Sequence, residues 1–533
     1  MDAFFAGVEK VNTFINNLVW GWPMIILILG TGILITVRTR CMQVRKFGTS
    51  LSETIVPTIK SIGKKHEGKS KKENSISQFE AFATAISGTV GTGNIIGVSS
   101  AIMTGGPGAV FWMWISAFFG MITNYAENTL GLYFRKKESN GDFSGGPAYY
   151  LSEGLGRNKD GKLGSFLKGL GKVLGIMAAV FCSLAAIGMS GAQTNKMSGT
   201  FQSVFSSGDK TVVGLVVGIT VAVVLALIIL GGIKSISRVA SVLVPFMSLL
   251  FILMALVIIF ANITMLGNAF ALIFSNIFSF KAALGGVAGF TFSQIIKKGL
   301  ARGVFSNEAG LGSSVIAHSA SETREPVKQG LWGIFEVFFD TFVICTLTAL
   351  VILVSFGKNE EVLYSGAYID TQVSMMALEK IFGLFGTIVY SIIIPLFAFT
   401  TILAWSYYGE KSVDFLFRKT GEKGRKIATT VFKVVYVLLV IVSALIDGEL
   451  AWAISDTFNG LMALPNLVGV VLLSGLLVKI TKNYFERKSG KDVAPMLSVY
   501  EDLNAEFAED VANGCEELAP AAEEVAAAEE PNA

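Results

Sequence analysis

The run from Ala85 to Gly108, AISGTVGTGNIIGVSSAIMTGGPG, limits what this chain can fold into more than any other stretch. Its flanks are apolar enough for a membrane helix, yet Gly88, Gly91, Gly93 and Gly97 crowd its middle beside Thr89, Thr92 and Asn94. Each glycine in a helix interior costs about 1 kcal/mol relative to alanine, so several this close predict a break where lipid demands an intact hydrogen-bond ladder. Within a bilayer, unwound backbone survives only where it is buried in protein or lines a cavity, because every unsatisfied amide is expensive. The break is therefore a candidate site. Freed N–H groups at the positive end of the following half-helix suit a carboxylate, and freed carbonyls suit a cation. Close helix packing through small residues would account for the glycines, but not for the hydroxyls and Asn94 beside them.

Composition fixes the environment. The chain has 533 residues, 52% of them hydrophobic and only 16% charged, which is the balance of a polytopic membrane protein. Cys41, Cys182, Cys345 and Cys515 are scattered without a CxxC spacing, so neither a disulfide framework nor a thiolate metal site is expected. His66 sits in a lysine-rich loop and His318 stands alone, which fits solvated or structural roles better than catalysis. With no HExxH or GxSxG and no nucleophile–base pairing, a membrane-embedded enzyme has nothing to work with. The basic residues lie in short loops between apolar spans, a membrane-topology signal that argues against nucleic-acid binding.

Read in order, the chain predicts spans at Gly21 to Val37, Gln78 to Thr104 (the broken one), Ala109 to Tyr133, Val173 to Thr194, Val212 to Leu230 and Val239 to Ala261. An irregular span follows from Gly285 to Arg302, then Leu331 to Val354, Ile381 to Tyr408, Ile427 to Leu445 and Trp452 to Leu477. The piece between Asn262 and Lys281 is too short to cross, since spanning takes roughly 20 residues. Lysine and arginine clusters after alternate spans place the N-terminus outside and the C-terminus in the cytoplasm of a multi-pass cell-membrane protein. The fold class is thus all-α and polytopic, with about eleven transmembrane helices. Three regions result: residues 1–20 as an extracellular segment, 21–480 as the membrane domain, and 481–533 as an acidic cytoplasmic tail. Beyond Pro495 the alanine- and glutamate-rich tail is expected to bury no core and to be disordered or locally helical. With the first helix set aside, two halves remain, about 78–261 and 283–480, each opening with a glycine-interrupted span, at Gly88 to Gly97 and Gly285 to Gly289. The two interrupted spans run in opposite directions, the pointer to an inverted repeat with its site at the bilayer midplane.

Several other residues carry chemistry. Thr400 and Thr401 with the Phe397 carbonyl, set against loosened carbonyls of the broken span, would make a small oxygen cage for Na⁺; equally, the hydroxyls can bond their own helix. Trp405, one turn on, either walls a pocket beside that ion or packs in the core. Gln193 in GAQTN, and Phe290, Thr291 and Ser293 at the start of the irregular span, fit substrate contact or helix packing. Among intramembrane acids, Glu127, Glu336 and Asp340 are candidates for function or for pairing with Arg or Lys, the last two spaced to share a helix face.

These motifs resemble the alanine or glycine:cation symporter family. The likeness rests on GTVGTGNIIGVSSAI with GGPGAVFWMW, on GGPAYYL, on SNEAGLGSSVIAHSA, on EVFFDTFVICTLTALVIL and on FAFTTILAWSYYGE. It implies a leucine-transporter-like fold, five-plus-five inverted repeats after a peripheral first helix, and import of alanine or glycine with Na⁺ or H⁺ and no organic cofactor. Carried over by motif, Gly91, Thr92, Gly93 and Asn94 form the substrate break, with Thr92 and Gly93 offering amides to the carboxylate. Gln193 assists and Trp405 shapes the side-chain pocket, while Thr400 and Thr401 bind the ion with carbonyls near Ser87 and Val90. Where the family pattern reads GNxxQxN, this chain has MSGAQTN, with Ser190 at the first asparagine. The competing expectation is an amino-acid sensor that binds ligand without net flux and signals through its acidic tail. Oligomeric state stays open.

Overall fold

The computed structural model describes residues 2–61, 75–138, 141–157, 159–205, 208–278, 292–356, 361–364, 367–446 and 448–512. Among them, nine helical segments are long and apolar enough to cross a membrane. In chain order the main elements are α1 (Asp2–Val19), α2 (Trp22–Arg38), α3 (Gln78–Thr89), α4 (Ile96–Gly105) and α5 (Ala109–Tyr133). Next come α6 (Gly161–Val204), α7 (Lys210–Ile229), α8 (Gly232–Ala261), α9 (Ile263–Ser275), α10 (Phe292–Asn307) and α11 (Ser314–His318). The remainder are α12 (Pro326–Phe356), α13 (Asp370–Phe382), α14 (Leu384–Leu416), α15 (Gly421–Ser443), α16 (Gly448–Lys488) and α17 (Glu501–Ala512). Several helices outrun the apolar stretches that predict them. α6 has 44 residues against an expected Val173 to Thr194, because the polar ends continue the same helix outside the hydrocarbon layer.

α7 and α15 turn apolar side chains such as Val216, Val223, Leu227, Val434 and Leu438 outward, as helices facing lipid must. α6, α14 and α16 pack on one another inside this shell, and their buried side chains merge with those of α3 and α11 into one apolar cluster. α4, α8, α12 and α13 build a second cluster around Ile86, Met247 and Phe397.

The first break falls where the glycines predict it. α3 opens with a capping box, Ser77 Oγ accepting from the Glu80 amide at 3.2 Å and Glu80 Oε2 from the Ser77 amide at 2.8 Å. It ends at Thr89, a short 3₁₀ turn covers Thr92–Asn94, and α4 resumes at Ile96. Part of the unwound backbone is served from within the break: Gly91 N–H donates to Asn94 Oδ1 at 2.9 Å.

Gly285 to Gly289, with Phe290 and Thr291, lies outside the described residues, as does the repeat boundary near 283. A second break that the structure does describe is Glu308 to Ser313, inside the SNEAGLGSS run that follows the expected Gly285 to Arg302 span. Glu308, Gly310 and Gly312 take left-handed φ of 55°, 93° and 73°, which ends α10 before α11 begins. The run stays buried because distant side chains serve its backbone; Asn466 Nδ2, for example, donates to the Gly310 carbonyl at 2.8 Å.

α12 contains a π-helical stretch, Phe338–Cys345, so Glu336 and Asp340 do not share a regular helix face. Among the described residues neither pairs with Arg or Lys. Glu336 Oε2 meets His318 Nε2 at 2.9 Å, while His318 Nδ1 lies 2.6 Å from Gln329 Nε2, giving that histidine a buried structural role. Glu127 is bonded by the Asn466 amide, which also meets the Tyr150 hydroxyl.

The tail also packs further than expected, through residue 512. Leu497, Leu503 and Phe507 are buried with Phe143, and Val499 N–H donates to the Tyr133 carbonyl at 3.0 Å. The guanidinium of Arg324 lies 4.7 Å from the Phe507 ring and pairs with Asp510 at 3.0 Å. Sparse apolar residues suffice here because cation–π partners from distant loops complete the core.

Candidate functional site

The first break packs against α10, the helix that leads into the second. A Cβ built on Gly93 would lie 3.5 Å from the Phe305 ring of α10, and one on Gly91 would collide with the Thr401 hydroxyl of α14. Only glycine admits so close an approach at Gly91. On the same turn, Thr92 N–H and Oγ1 both reach Gln193 Oε1 of α6, at 3.3 and 2.7 Å, while Gln193 Nε2 is 3.5 Å from the Gly91 Cβ position. The break is thus walled by α6, α10 and α14, every wall residue being buried.

Thr401 Oγ1 donates to the Phe397 carbonyl at 3.0 Å, leaving its lone pairs for the side facing Gly91. Thr400 Oγ1 also faces its own helix, with the Leu396 and Phe397 carbonyls each at 3.1 Å, and meets the Met247 sulfur at 3.6 Å. Of the two threonines, it is Thr401 that is brought against the break. Ser87 Oγ bonds the Thr84 carbonyl at 2.7 Å, and Val90 N–H bonds Ile86 O at 2.8 Å, so both continue the α3 pattern up to its open end.

Trp405 is fully buried, edge-on to Tyr408 at 5.5 Å, and its indole Nε1–H donates to Glu308 Oε1 at 2.9 Å. A second polar cluster flanks the first break. Asn94 Nδ2 donates to Asp340 Oδ1 at 2.6 Å, and Ser306 and Thr341 donate to Asp340 Oδ2 at 2.9 and 2.8 Å. Sequence reasoning named Asn94 and Asp340 separately but missed Ser306, Thr341, Phe305 and Glu308. The available signal was EAGLG, two closely spaced glycines in a polar run between apolar stretches.

Toward one end of the site, Phe305 packs at a tilt against Trp452 at 4.9 Å, and Arg302 sits 5.3 Å from the Trp452 ring while facing Asp456 at 3.9 Å. Nearby, Lys196 pairs with Asp370 of α13 at 3.0 Å. Two charge pairs and an aromatic pair therefore cover that end. Two interrupted helices thus set buried polar breaks beside a threonine, a glutamine and an indole on neighbouring helices.

A family comparison decides what kind of protein this is, since the sequence model of the sodium:alanine symporter family matches residues 5–497. The chain belongs to that family. It is 41% identical over 482 residues to the sodium/alanine symporter AgcS of Methanococcus maripaludis, covering 90% of this chain and 97% of that protein. It is also 35% identical to the probable sodium/glutamine symporter GlnT of Bacillus subtilis, covering 91% and 92%. Among solved structures, MhsT in complex with L-phenylalanine superposes with a TM-score of 0.51 at 16% identity, over 77% of this chain and 99% of that one. A Na⁺-coupled sialic acid symporter gives 0.52 at 11%, over 92% and 96%. The fold is therefore leucine-transporter-like, and this member of the symporter family is a multi-pass membrane transporter, not an enzyme.

Proposed function

We propose that this transporter imports alanine or glycine across the cell membrane by alternating access, driven by Na⁺, with its N-terminus outside and its C-terminus in the cytoplasm. The observation that carries the reading is the convergence of Gly91, Thr92 and Gly93 with Gln193 and Thr401. Backbone amides of the break face the substrate carboxylate, Gln193 steadies it, and Trp405 and Phe305 leave room for a small side chain only. Relatives support the cation and the substrate class, AgcS being named a sodium/alanine symporter, whereas GlnT is named for glutamine.

Na⁺ is favoured over H⁺ by the bonding around the break. Thr401 does not titrate and offers oxygen alone. Asp340 accepts from Asn94, Ser306 and Thr341, so donors already fixed by the fold hold its oxygens beside the break. A cation held beside the break also neutralises the substrate carboxylate, so ion and amino acid must raise each other's affinity by one common factor. Equilibrium binding of labelled alanine to the purified protein tests this. Na⁺ should tighten alanine binding, alanine should tighten Na⁺ binding equally, and K⁺ should do neither. Alanine affinity that follows pH and ignores Na⁺ would transfer coupling to the buried carboxylates.

A further inference from the structure

Glu308 is the one residue of the second break whose conformation is paid for by its side chain. Its φ of 55° is left-handed, a region costing a residue with a Cβ roughly 1 kcal/mol or more, whereas Gly310 and Gly312 occupy the same region freely. Its carboxylate is enclosed, with 1% of the residue exposed, and a buried carboxylate persists only where fixed donors hold it. Both oxygens are held. The Trp405 indole donates to Oε1 at 2.9 Å, and the Ser313 hydroxyl donates to Oε2 at 2.5 Å. The carboxylate therefore ties the backbone of the second break, through Ser313, to a ring on α14.

An indole has only two side-chain torsions, and its one polar atom is Nε1. Fixing Nε1–H to an anchored acceptor fixes the plane of the ring. Tyr408 packs edge-on against the indole at 5.5 Å, so with that neighbour in place the bond to Glu308 decides which orientation the ring holds.

We propose that Glu308 is a positioning residue that sets the size limit of the substrate pocket by locking the Trp405 indole. The inference rests on Trp405 being the side-chain wall, as read under Proposed function. Without the lock the ring relaxes, and larger neutral amino acids enter.

The test is a double-mutant cycle on purified full-length protein, using competition binding of alanine and leucine in Na⁺. Glu308→Ala should move the leucine-to-alanine affinity ratio about tenfold toward leucine, the scale of a pocket difference of one methylene or so. Glu308→Gln should hold the ratio near wild type, because its amide oxygen still accepts from the indole. In a Trp405→Phe background, Glu308→Ala should add no further shift, since the group it positions is gone. An unchanged ratio in a Glu308→Ala protein of normal melting temperature overturns the proposal, as does full additivity with Trp405→Phe. A shift in Glu308→Gln as large as in Glu308→Ala also overturns it, because charge and not the hydrogen bond would then be responsible. Should Glu308→Ala fail to fold, Ser313→Ala decides: it frees one oxygen of the anchor, so a shift of several-fold supports the proposal and a wild-type ratio refutes it. Wild-type protein that binds no neutral amino acid would instead overturn the reading of function itself.

Discussion

Gly91→Ala is the most demanding single perturbation of the site. The added methyl group would sit inside van der Waals contact of Thr401 Oγ1 and 3.5 Å from both Thr401 Cβ and Gln193 Nε2. Neither neighbour moves freely. Thr401 Oγ1 is tied to the Phe397 carbonyl, and the Gln193 amide oxygen is tied to Thr92. Forcing a methyl into a filled interior typically costs 1–3 kcal/mol, so α3 and α14 must separate or the hydroxyl must rotate away. Either outcome disturbs the oxygen that faces the break. If that cost falls on the ion-bound state, the Na⁺ concentration for half-maximal alanine binding should rise about 5- to 150-fold, at 1.4 kcal/mol per tenfold. Titration of alanine binding against Na⁺, with thermal melting of the same preparations, separates lost coupling from lost folding. Thr401→Ala added to Gly91→Ala should restore the melting temperature by removing the collision but leave Na⁺ dependence poor, since the oxygen is gone. Wild-type Na⁺ dependence in a stable Gly91→Ala protein would refute the contact between break and threonine as the seat of coupling.

Other substitutions follow from the same geometry. Gly93→Val should abolish uptake while the protein still inserts, because the branched side chain fills the gap to Phe305; uptake in proteoliposomes alongside size-exclusion profiles checks both halves. Asp340→Asn turns an amide N–H₂ toward groups that now donate, stranding a buried donor at about 1–3 kcal/mol, and should weaken Na⁺-dependent binding at least tenfold by calorimetry. Phe507→Ala should release α17, a 12-residue helix that is marginal alone, exposing it to limited proteolysis while alanine affinity stays within about twofold. Protection of the 501–512 segment in that variant would contradict its anchoring by the ring.

The first break was legible because its glycines, hydroxyls and Asn94 are crowded into one short run whose only stable home in a membrane is a buried cavity wall. The second was not, because Ser306, Asn307 and Glu308 look like solvated loop residues until their partners are known. Those partners are Asp340, Thr341 and Trp405, tens of residues away on α12 and α14. The paired threonines could not be separated from sequence either. Adjacent helix positions point about 100° apart, so only one hydroxyl can face the break, and which one depends on how α14 is rotated against α3. For the tail, alanine and glutamate hid a sparse apolar stripe, Leu497, Leu503 and Phe507, that closes only on Phe143 and the cations of Arg135 and Arg324.

The central claim is that a sodium gradient drives a small amino acid through this site. Proteoliposomes holding the full-length protein, loaded with K⁺ and diluted into Na⁺ with labelled alanine or glycine, measure it directly. Transient accumulation above the outside concentration is expected, abolished when Na⁺ is equal on both sides and much reduced in Thr401→Ala. Uptake that merely equilibrates, that is driven by a pH gradient without Na⁺, or that is absent although alanine binds would contradict it.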